Sequence, residues 1–317
     1  MRAVAVSRFH APPELMELPV PSIGPAELLV RVAFAGVNPL DWKIGEGFYD
    51  GSRPHVFPLI LGVDAAGHVE AIGSGVTRFR VGDRVFGQFL HSPVGTGTYS
   101  DYTTVPEEIA LGRVPKEMRM DEAAALPTAG MTALACLDAL ALAPGASLVI
   151  VGASGGVGSY ATELASAHGL KVTAVARTTS AARLGSLGAE RVIDPSGGAA
   201  LATVSATHPG GVDGLLDAMS DTAAFNRWTT LVRRGGAAAT TTHSADLEAL
   251  KRSGIRGGNV DLEPTSNLLD RLTREVVGRH LKVPVERRVR LAEAAAVLAE
   301  LRTGRGSGKT VVDLALP

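Results

Sequence analysis

The chain has 317 residues, and its 31 lysines and arginines nearly balance its 32 aspartates and glutamates, for a formal net charge of −1. This length predicts two domains, and the balanced charge gives no electrostatic reason to expect nucleic acid or an anionic membrane as a partner. The single cysteine, Cys136, excludes an intramolecular disulfide and a four-cysteine zinc site. No apolar run is long enough for a membrane span or a signal peptide, so we expect a cytoplasmic protein.

The first third of the chain predicts short strands with little helix. The predicted strands are residues 2–7, 28–34, 65–72 and 84–86. Glycine, proline and aspartate punctuate the segments between them, as is typical of tight turns. The sequence therefore predicts a mostly-β domain in this region.

Beyond residue 120 the pattern changes to alternating helices and strands. A helical pattern opens at Asp121 and continues to residue 142, where Pro144 and Gly145 stop it. Predicted strands then alternate with predicted helices over residues 147–151, 156–168, 171–176, 180–187, 191–193, 212–217, 222–231 and 237–241. Repeated units of this length predict a doubly wound parallel sheet. A last helix, 291–302, and a last strand, 310–314, follow.

A glycine-rich turn joins the first strand of this series to its helix. Glycines allow a pyrophosphate to approach the backbone, and the helix N-terminus offers unpaired N–H groups. The strict fingerprint needs glycine where Ala153 stands, so the turn is the variant that begins with alanine. Its strand–turn–helix context favours a dinucleotide site over a turn that only packs a helix on a sheet. The candidate cofactor residues here are Ala153, Ser154, Gly155, Gly156, Val157 and Gly158.

The end of the next strand predicts which dinucleotide binds. An NAD enzyme usually places an acid about 20 residues after the turn, to bind the ribose hydroxyls. Here the chain carries Arg177, followed by Thr178 and Ser180, and no acid. A guanidinium can pair with a 2′-phosphate, and the two hydroxyls can bond to it. This pattern predicts NADPH as the cofactor, the alternative being a solvated arginine at a strand end.

These segments together resemble the zinc-free quinone oxidoreductase (zeta-crystallin-like) branch of the medium-chain dehydrogenase/reductases. The matching stretches, in the order of that family, are residues 36–43, 61–67, 81–87, 130–133, 152–158, 187–189 and 308–312. The resemblance implies a GroES-like catalytic domain over residues 1–121, completed by residues 279–317, and a Rossmann NADPH-binding domain over residues 122–278. It also implies a homodimer through edge strands of the Rossmann sheet, near residues 259–263.

The resemblance also bears on zinc. Zinc-dependent relatives carry a cysteine in the segment of Asn38 and a histidine–glutamate pair where Val63 and Asp64 stand. Both ligands are replaced here, and Cys136 lies in an apolar predicted helix. Without a soft ligand and converging histidines a tetrahedral site is not expected. We therefore predict no metal.

Without a metal to polarise a ketone, a conjugated acceptor is the easier substrate. Hydride addition to a quinone or an enone places negative charge on oxygen, which needs hydrogen-bond donors and a proton source. The candidate catalytic residues, from the family motif, are Asn38, Asp41, Lys43 and Tyr49. Asp41 and Lys43 could equally form a structural ion pair, and Tyr49 could be an exposed loop residue. Further candidate cofactor residues are Thr132, which matches a family position near the nicotinamide, and Thr240 and Thr241, which end a predicted strand.

Two classes of function remain open. The first is an NADPH-dependent reductase of quinones or α,β-unsaturated carbonyls, within which a pathway-specific enoyl reductase is the alternative to a general quinone reductase. The second is a non-catalytic NADPH-binding protein with a structural or regulatory role. The glycine turn together with Asn38 and Tyr49 favours the enzyme.

Overall fold

A computed structural model describes residues 1–304 and 306–316, and Arg305 and Pro317 lie outside the described residues. The chain divides into two compact units. Unit 1 consists of Met1–Thr128, Pro264–Val277 and Val283–Pro317, and unit 2 of Ala129–Glu263 and Gly278–Lys282. Within the described residues, no helix combines the length and the apolar character needed to cross a membrane.

Unit 1 is built mainly from strands. These are β1 (Arg2–Val6), β2 (Glu14–Glu17), β3 (Glu27–Gly36), β4 (His55–Ile60), β5 (Asp64–Ile72), β6 (Arg84–Gln88), β7 (Val94–Thr96), β8 (Tyr102–Pro106), β9 (Leu111–Arg113), β16 (Val285–Arg290) and β17 (Lys309–Asp313). Its helical segments are α1 (Pro39–Gly45), α2 (Met120–Ala125), α9 (Ser266–Gly278), a 3-10 turn at Leu291–Glu293 and α10 (Ala294–Arg302).

Two sheets enclose the core of unit 1. One has the order β2-β1-β4-β7, and the other has the order β16-β17-β3-β5-β6-β9, with β8 also paired to β3. Along β3, Leu28, Val30 and Val32 alternate into the core, which is the period of a strand with one buried face. The C-terminal strand β17 pairs with β3, so residues from both ends of the chain meet in this sheet.

Unit 2 is an alternating series of helices and strands. Its strands are β10 (Ser147–Val151), β11 (Lys171–Val175), β12 (Arg191–Ile193), β13 (Val212–Asp217), β14 (Val232–Thr240) and β15 (Arg256–Asn259). Its helical segments are α3 (Pro127–Leu140, from its third residue), α4 (Gly156–Ala167), a 3-10 turn at Thr178–Ser180, α5 (Ala181–Ser186), α6 (Ala200–Thr207), α7 (Thr222–Thr229) and α8 (Leu247–Ser253).

The sheet of unit 2 is parallel throughout, with the order β12-β11-β10-β13-β14-β15. From β10 the chain first adds β11 and β12 on one side, and it then returns to place β13 on the other side of β10. The position between β10 and β13 is therefore the switch point, where dinucleotide folds bind their ligands. Because the strands are parallel, their carboxyl ends all meet at one edge. We call this the carboxyl edge. The predicted fold class, a mostly-β domain plus a doubly wound parallel sheet, is confirmed.

Helix boundaries differ from the predicted ones where local chemistry intervenes. The predicted helix 121–142 is two helices, because Pro127 lacks the N–H that a continuous helix needs and instead starts α3. The helix α1 was not predicted. Its start is marked by Asn38 and Pro39, with Asp41 accepting a hydrogen bond from the Asn38 backbone N–H at 2.7 Å.

Candidate active site

A buried polar cluster lies at the start of α1 in unit 1. One of its members, Asp41, is fully buried and accepts three hydrogen bonds. The Asn38 backbone N–H donates at 2.7 Å, the Tyr99 hydroxyl at 2.7 Å and the Val63 backbone N–H at 3.0 Å. These bonds tie α1 to the segment between β4 and β5. The Asp41 carboxylate therefore holds the local backbone in place.

The second carboxylate of the cluster, Asp64, is the first residue of β5. Its oxygens accept from the Asn38 amide Nδ2 at 2.9 Å, from the Thr128 backbone N–H at 3.0 Å and from the Thr128 hydroxyl at 2.7 Å. The Gln88 amide donates to the same hydroxyl at 2.7 Å. The polar cluster thus joins β5, β6 and α1 to the segment that follows α2.

The cation of the polar cluster is Lys309, the first residue of β17, whose ammonium is buried. Its Nζ donates to the Asn38 Oδ1 and to the Val37 carbonyl, each at 2.7 Å. Burial raises the pKa of Asp41 to about 7 and also raises that of Asp64, although hydrogen bonds and the charge of Lys309 oppose the rise. Burial also lowers the pKa of Lys309, against the attraction of the two carboxylates. The Asn38 side chain links the ammonium to Asp64, so both ends of its amide are already bonded.

This cluster does not fit a zinc ion. Its cation position is held by an ammonium, and its carboxylate oxygens face N–H and O–H donors. Among the described residues, no three histidine, cysteine, aspartate or glutamate side chains form a group that could hold a metal ion. The free thiol of Cys136 is buried, and burial raises its pKa to about 12, which disfavours the thiolate that zinc binds.

The other two predicted catalytic residues lie near the surface of unit 1. Lys43 is exposed, with its ammonium 5.8 Å from the centre of the Trp42 ring, and it forms no ion pair with Asp41. Tyr49 is half-buried between Phe48, whose ring centre is 4.9 Å away, and the Arg53 guanidinium, 4.5 Å from the Tyr49 ring centre. Burial raises the pKa of the Tyr49 phenol, and Arg53 lowers it. Its hydroxyl has no hydrogen-bond partner among residues 1–304 and 306–316.

A small open apolar cavity, with room for little more than one water-sized group, lies in unit 1 beside α1. One wall is the segment between β4 and β5, and another is formed by the loop that begins at Phe89, by β7 and by Gly97. His91 is fixed in this loop, with its Nε2 2.9 Å from the Thr96 hydroxyl and 3.1 Å from the Thr104 carbonyl oxygen.

In unit 2 the glycine turn fits a pyrophosphate. Gly152 has φ +78°, a conformation that favours glycine. A Cβ on Gly158 would stand 2.3 Å from the Gly152 carbonyl oxygen, so the helix can approach the turn only because this side chain is absent. Gly155 precedes α4 at its N-cap, and no side chain of the described chain caps this twelve-residue helix there. The N–H groups of its first turn therefore remain available to an anion.

A residue that the sequence analysis missed holds this turn. Arg183 on α5 donates from Nη2 to the Ser154 carbonyl at 2.9 Å and from Nη1 to the Ser159 hydroxyl at 2.8 Å. The guanidinium therefore bridges the turn and the first helical turn of α4. No sequence motif marks this arginine, because the contact depends on how α5 packs beside α4.

The residues predicted to bind a 2′-phosphate follow β11 at the carboxyl edge. The guanidinium of exposed Arg177 forms no hydrogen bond or ion pair with any residue that the structure describes. Thr178 is exposed, but its backbone N–H and hydroxyl donate to Asp194 at 2.6 and 2.5 Å. Ser180 is buried at the end of the 3-10 turn. Of these, only Thr178 already has a charged partner.

The remaining predicted cofactor residues lie farther along the chain. Thr240 ends β14 with its buried hydroxyl 2.9 Å from that of Thr242. Thr241 donates its backbone N–H to the Asp217 carbonyl at 3.1 Å, beside the end of β13. Thr132 is buried on α3. The carboxyl edge thus brings together the glycine turn, Arg177 and the two threonines at the end of β14, while the predicted catalytic residues lie in one segment of unit 1.

Two protein families match the chain. Residues 24–116 match the alcohol dehydrogenase GroES-like domain, and residues 156–255 match the family described as zinc-binding dehydrogenase. The first match lies within unit 1 and the second within unit 2. The words zinc-binding in the name of the second family describe that family, and they do not change the side chains of the polar cluster, which do not fit a zinc ion.

Individual relatives of the chain include proteins named quinone oxidoreductase and enoyl reductase. The chain is 36% identical over 187 residues to the chloroplast envelope quinone oxidoreductase homolog of Arabidopsis thaliana, covering 57% of this chain and 56% of the relative. It is 38% identical over 180 residues to the trans-enoyl reductase himH of Aspergillus japonicus, covering 53% and 52%. These matches span about half the length of the curated relatives. The solved quinone oxidoreductase of Coxiella burnetii superposes with a TM-score of 0.87 at 26% identity over 99% of both chains.

Proposed function

The chain belongs to the medium-chain dehydrogenase/reductase family, and from this premise we propose that it is an NADPH-dependent oxidoreductase that reduces a quinone or an α,β-unsaturated carbonyl without a metal. The observation that carries the proposal is the glycine turn at the switch point of the parallel sheet, with the uncapped N-terminus of α4 behind it. Exposed Arg177 on the neighbouring strand end supports NADPH over NADH. The relatives named as quinone oxidoreductase and enoyl reductase support the substrate class.

The chemistry divides between the cofactor and the protein. When bound, NADPH would supply the hydride. The chain's own groups must hold the acceptor and supply a proton. Tyr49 suits the second role, because its half-buried hydroxyl is not engaged by the described residues and a phenol carries its proton at neutral pH. Asn38, Asp41 and Lys309 suit a positioning role, because they fix the backbone beside the apolar cavity.

Among the described residues no donor set fits zinc, and this supports the choice of a conjugated acceptor. The charge that forms on a quinone or enone oxygen is delocalised, so hydrogen-bond donors can stabilise it. A simple ketone lacks this delocalisation and gains more from a Lewis acid. The donor set around Lys309 offers no place for such an ion.

The proposal is tested by NADPH consumption with a panel of quinones, enones and simple ketones, with and without EDTA. We expect turnover of quinones or enones that EDTA does not change, and no turnover of ketones. Turnover restricted to one class of enone would indicate a pathway-specific enoyl reductase. Binding of NADPH without turnover of any acceptor would favour the non-catalytic alternative.

We also propose a cytoplasmic homodimer. The support is β15, which lies at the end of the strand order and pairs only with β14 among the described strands. An unpaired strand edge of this kind can pair with a second copy. Light scattering of the purified chain tests the assembly, and a monomer at micromolar concentration would contradict it.

A further inference from the structure

An acidic residue stands beside the end of β11, although the sequence has none at that strand end. It comes from the next strand, because β12 runs parallel to β11 with Ile193 opposite Val175. Asp194 therefore reaches the carboxyl edge at the level where Arg177 leaves it. There it accepts a hydrogen bond from the backbone N–H of Thr178, which lies 16 positions earlier in the chain.

Asp194 is firmly held in an ionised state. Its Oδ2 accepts from the Thr178 backbone N–H and hydroxyl, and its Oδ1 accepts from the Ser196 backbone N–H at 2.8 Å. Hydrogen bonds from Ser196 and Thr178 hold the pKa of this exposed carboxyl far below its ordinary value. Arg177 does not form an ion pair with it within the described chain, so its negative charge faces the carboxyl edge without a direct counter-ion.

A carboxylate at this place acts differently on the two dinucleotides. A 2′-phosphate bound by Arg177 and Thr178 would bring a second negative charge close to Asp194, and the two would repel each other. A ribose with a free 2′-hydroxyl carries no such charge. Its hydroxyl can donate to the carboxylate, which also accepts hydrogen bonds from Thr178 and Ser196.

We propose that Asp194 is a specificity-determining residue of the dinucleotide site, which favours a free 2′-hydroxyl and opposes the 2′-phosphate that Arg177 attracts. The inference rests on the proposed function, since it assumes a dinucleotide at the carboxyl edge. It makes the preference for NADPH smaller than Arg177 alone would give. The chain then binds both nucleotides, with the balance set by two opposite charges on neighbouring strand ends.

The test is the dissociation constant of NADPH and of NADH, measured by nucleotide fluorescence with no acceptor present. For Asp194→Asn we expect the ratio of the NADH constant to the NADPH constant to rise about 3- to 10-fold, as for a partly screened charge pair. The matched control is Glu190→Gln, which removes an exposed carboxylate beside the opposite end of β12 and should leave the ratio unchanged. Added salt should shrink the effect of Asp194→Asn.

The outcomes separate this inference from the proposed function. Asp194→Ser provides a second variant, and the thermal unfolding of each variant shows that it is folded. If wild type binds both nucleotides and neither folded variant changes the ratio, Asp194 does not determine specificity. An equal rise in Glu190→Gln would also overturn the inference, because it would be an effect of net charge. If wild type binds neither nucleotide, the proposed function itself fails.

Discussion

The two units arrange their polar side chains in opposite ways. In unit 1, Asn38, Asp41 and Asp64 are buried, and their polar atoms form hydrogen bonds with one another, with Lys309 and with the local backbone. At the carboxyl edge of unit 2, Arg177 is exposed, and the turn before α4 offers backbone N–H groups without a capping side chain. The first arrangement fixes a backbone, and the second leaves donors for a ligand. Whether a predicted site residue fixes the fold or can bind a ligand therefore depends on whether its polar atoms already have hydrogen-bond partners.

The largest expected effect comes from removing the cation of the polar cluster. Lys309→Met leaves Asp41 and Asp64 buried without a compensating charge, and breaking such an arrangement costs about 3–5 kcal/mol. Denaturant unfolding should show a loss of this size. Exposed Lys43→Met is the control and should change the free energy of unfolding by less than about 0.5 kcal/mol. The added substitution Asp64→Asn should recover part of the loss, and a Lys309→Met protein of wild-type stability would contradict the structural role.

The periodicity of apolar residues and the positions of turn-forming residues were enough to predict the alternating strands and helices of unit 2. The run of residues 147–151, the glycine turn and the helix after it follow from local sequence, and the observed β10 and α4 begin where predicted. Parallel pairing then placed Thr240 and Arg177 at one edge without any side-chain detail. The helix α1 was not predicted, although Asn38, Pro39 and Asp41 mark a helix start.

The chemistry between distant segments could not be predicted in the same way. The contact of Lys309 with Asn38 joins residues 271 apart, and only the pairing of β17 with β3 brings them together. The contact of Asp194 with Thr178 likewise depends on the register of β11 against β12. Arg183 reaches the glycine turn from a helix whose packing no motif records. Each of these residues is unremarkable in the linear sequence.

A second experiment tests whether Tyr49, a predicted catalytic residue of unit 1, takes part in the reaction rather than only in the structure. Tyr49→Phe keeps the ring against Phe48 and Arg53 and removes only the hydroxyl. If the phenol donates the proton, kcat with enones should fall about 10²-fold, while the dissociation constant of NADPH stays unchanged. Quinones should suffer less, because their reduced anion can take a proton from water. Tyr102→Phe, another half-buried tyrosine of unit 1, is the control. Unchanged kcat on every substrate would make Tyr49 a wall residue only.

A third experiment tests the exposed side of the comparison. Arg177→Ala removes a charge-assisted contact, and because this guanidinium is exposed we expect the lower end of the usual range, about a tenfold rise in KM for NADPH. KM for NADH should stay nearly constant. Arg191→Ala, at the opposite end of β12, removes the same charge away from the carboxyl edge and should affect neither nucleotide. Equal losses with both nucleotides would show that Arg177 does not contact the 2′-phosphate.

The smallest effect concerns Glu163, a buried carboxylate of unit 2 that has fewer hydrogen-bond donors around it than Asp64 has. It lies on α4 and accepts a hydrogen bond from the Lys282 backbone N–H at 2.6 Å. Burial raises its pKa from 4.5 to about 7, and the Lys282 bond opposes the rise. The folded protein therefore holds this proton more tightly than the unfolded chain does. Ionisation of Glu163 reduces the free energy of unfolding as pH rises between these two values, and the loss is complete above about pH 7.

Glu163→Gln keeps the acceptor for Lys282 and removes the charge, so it should abolish this loss. Relative to wild type, the variant should gain on the order of 1–2 kcal/mol between pH 4 and pH 8, because each pKa unit corresponds to about 1.4 kcal/mol and relaxation reduces the full value. Urea unfolding at the two pH values measures the gain, and Glu190→Gln should show the same difference from wild type at both. A Glu163→Gln protein whose relative stability does not change with pH would mean that Glu163 stays ionised when buried.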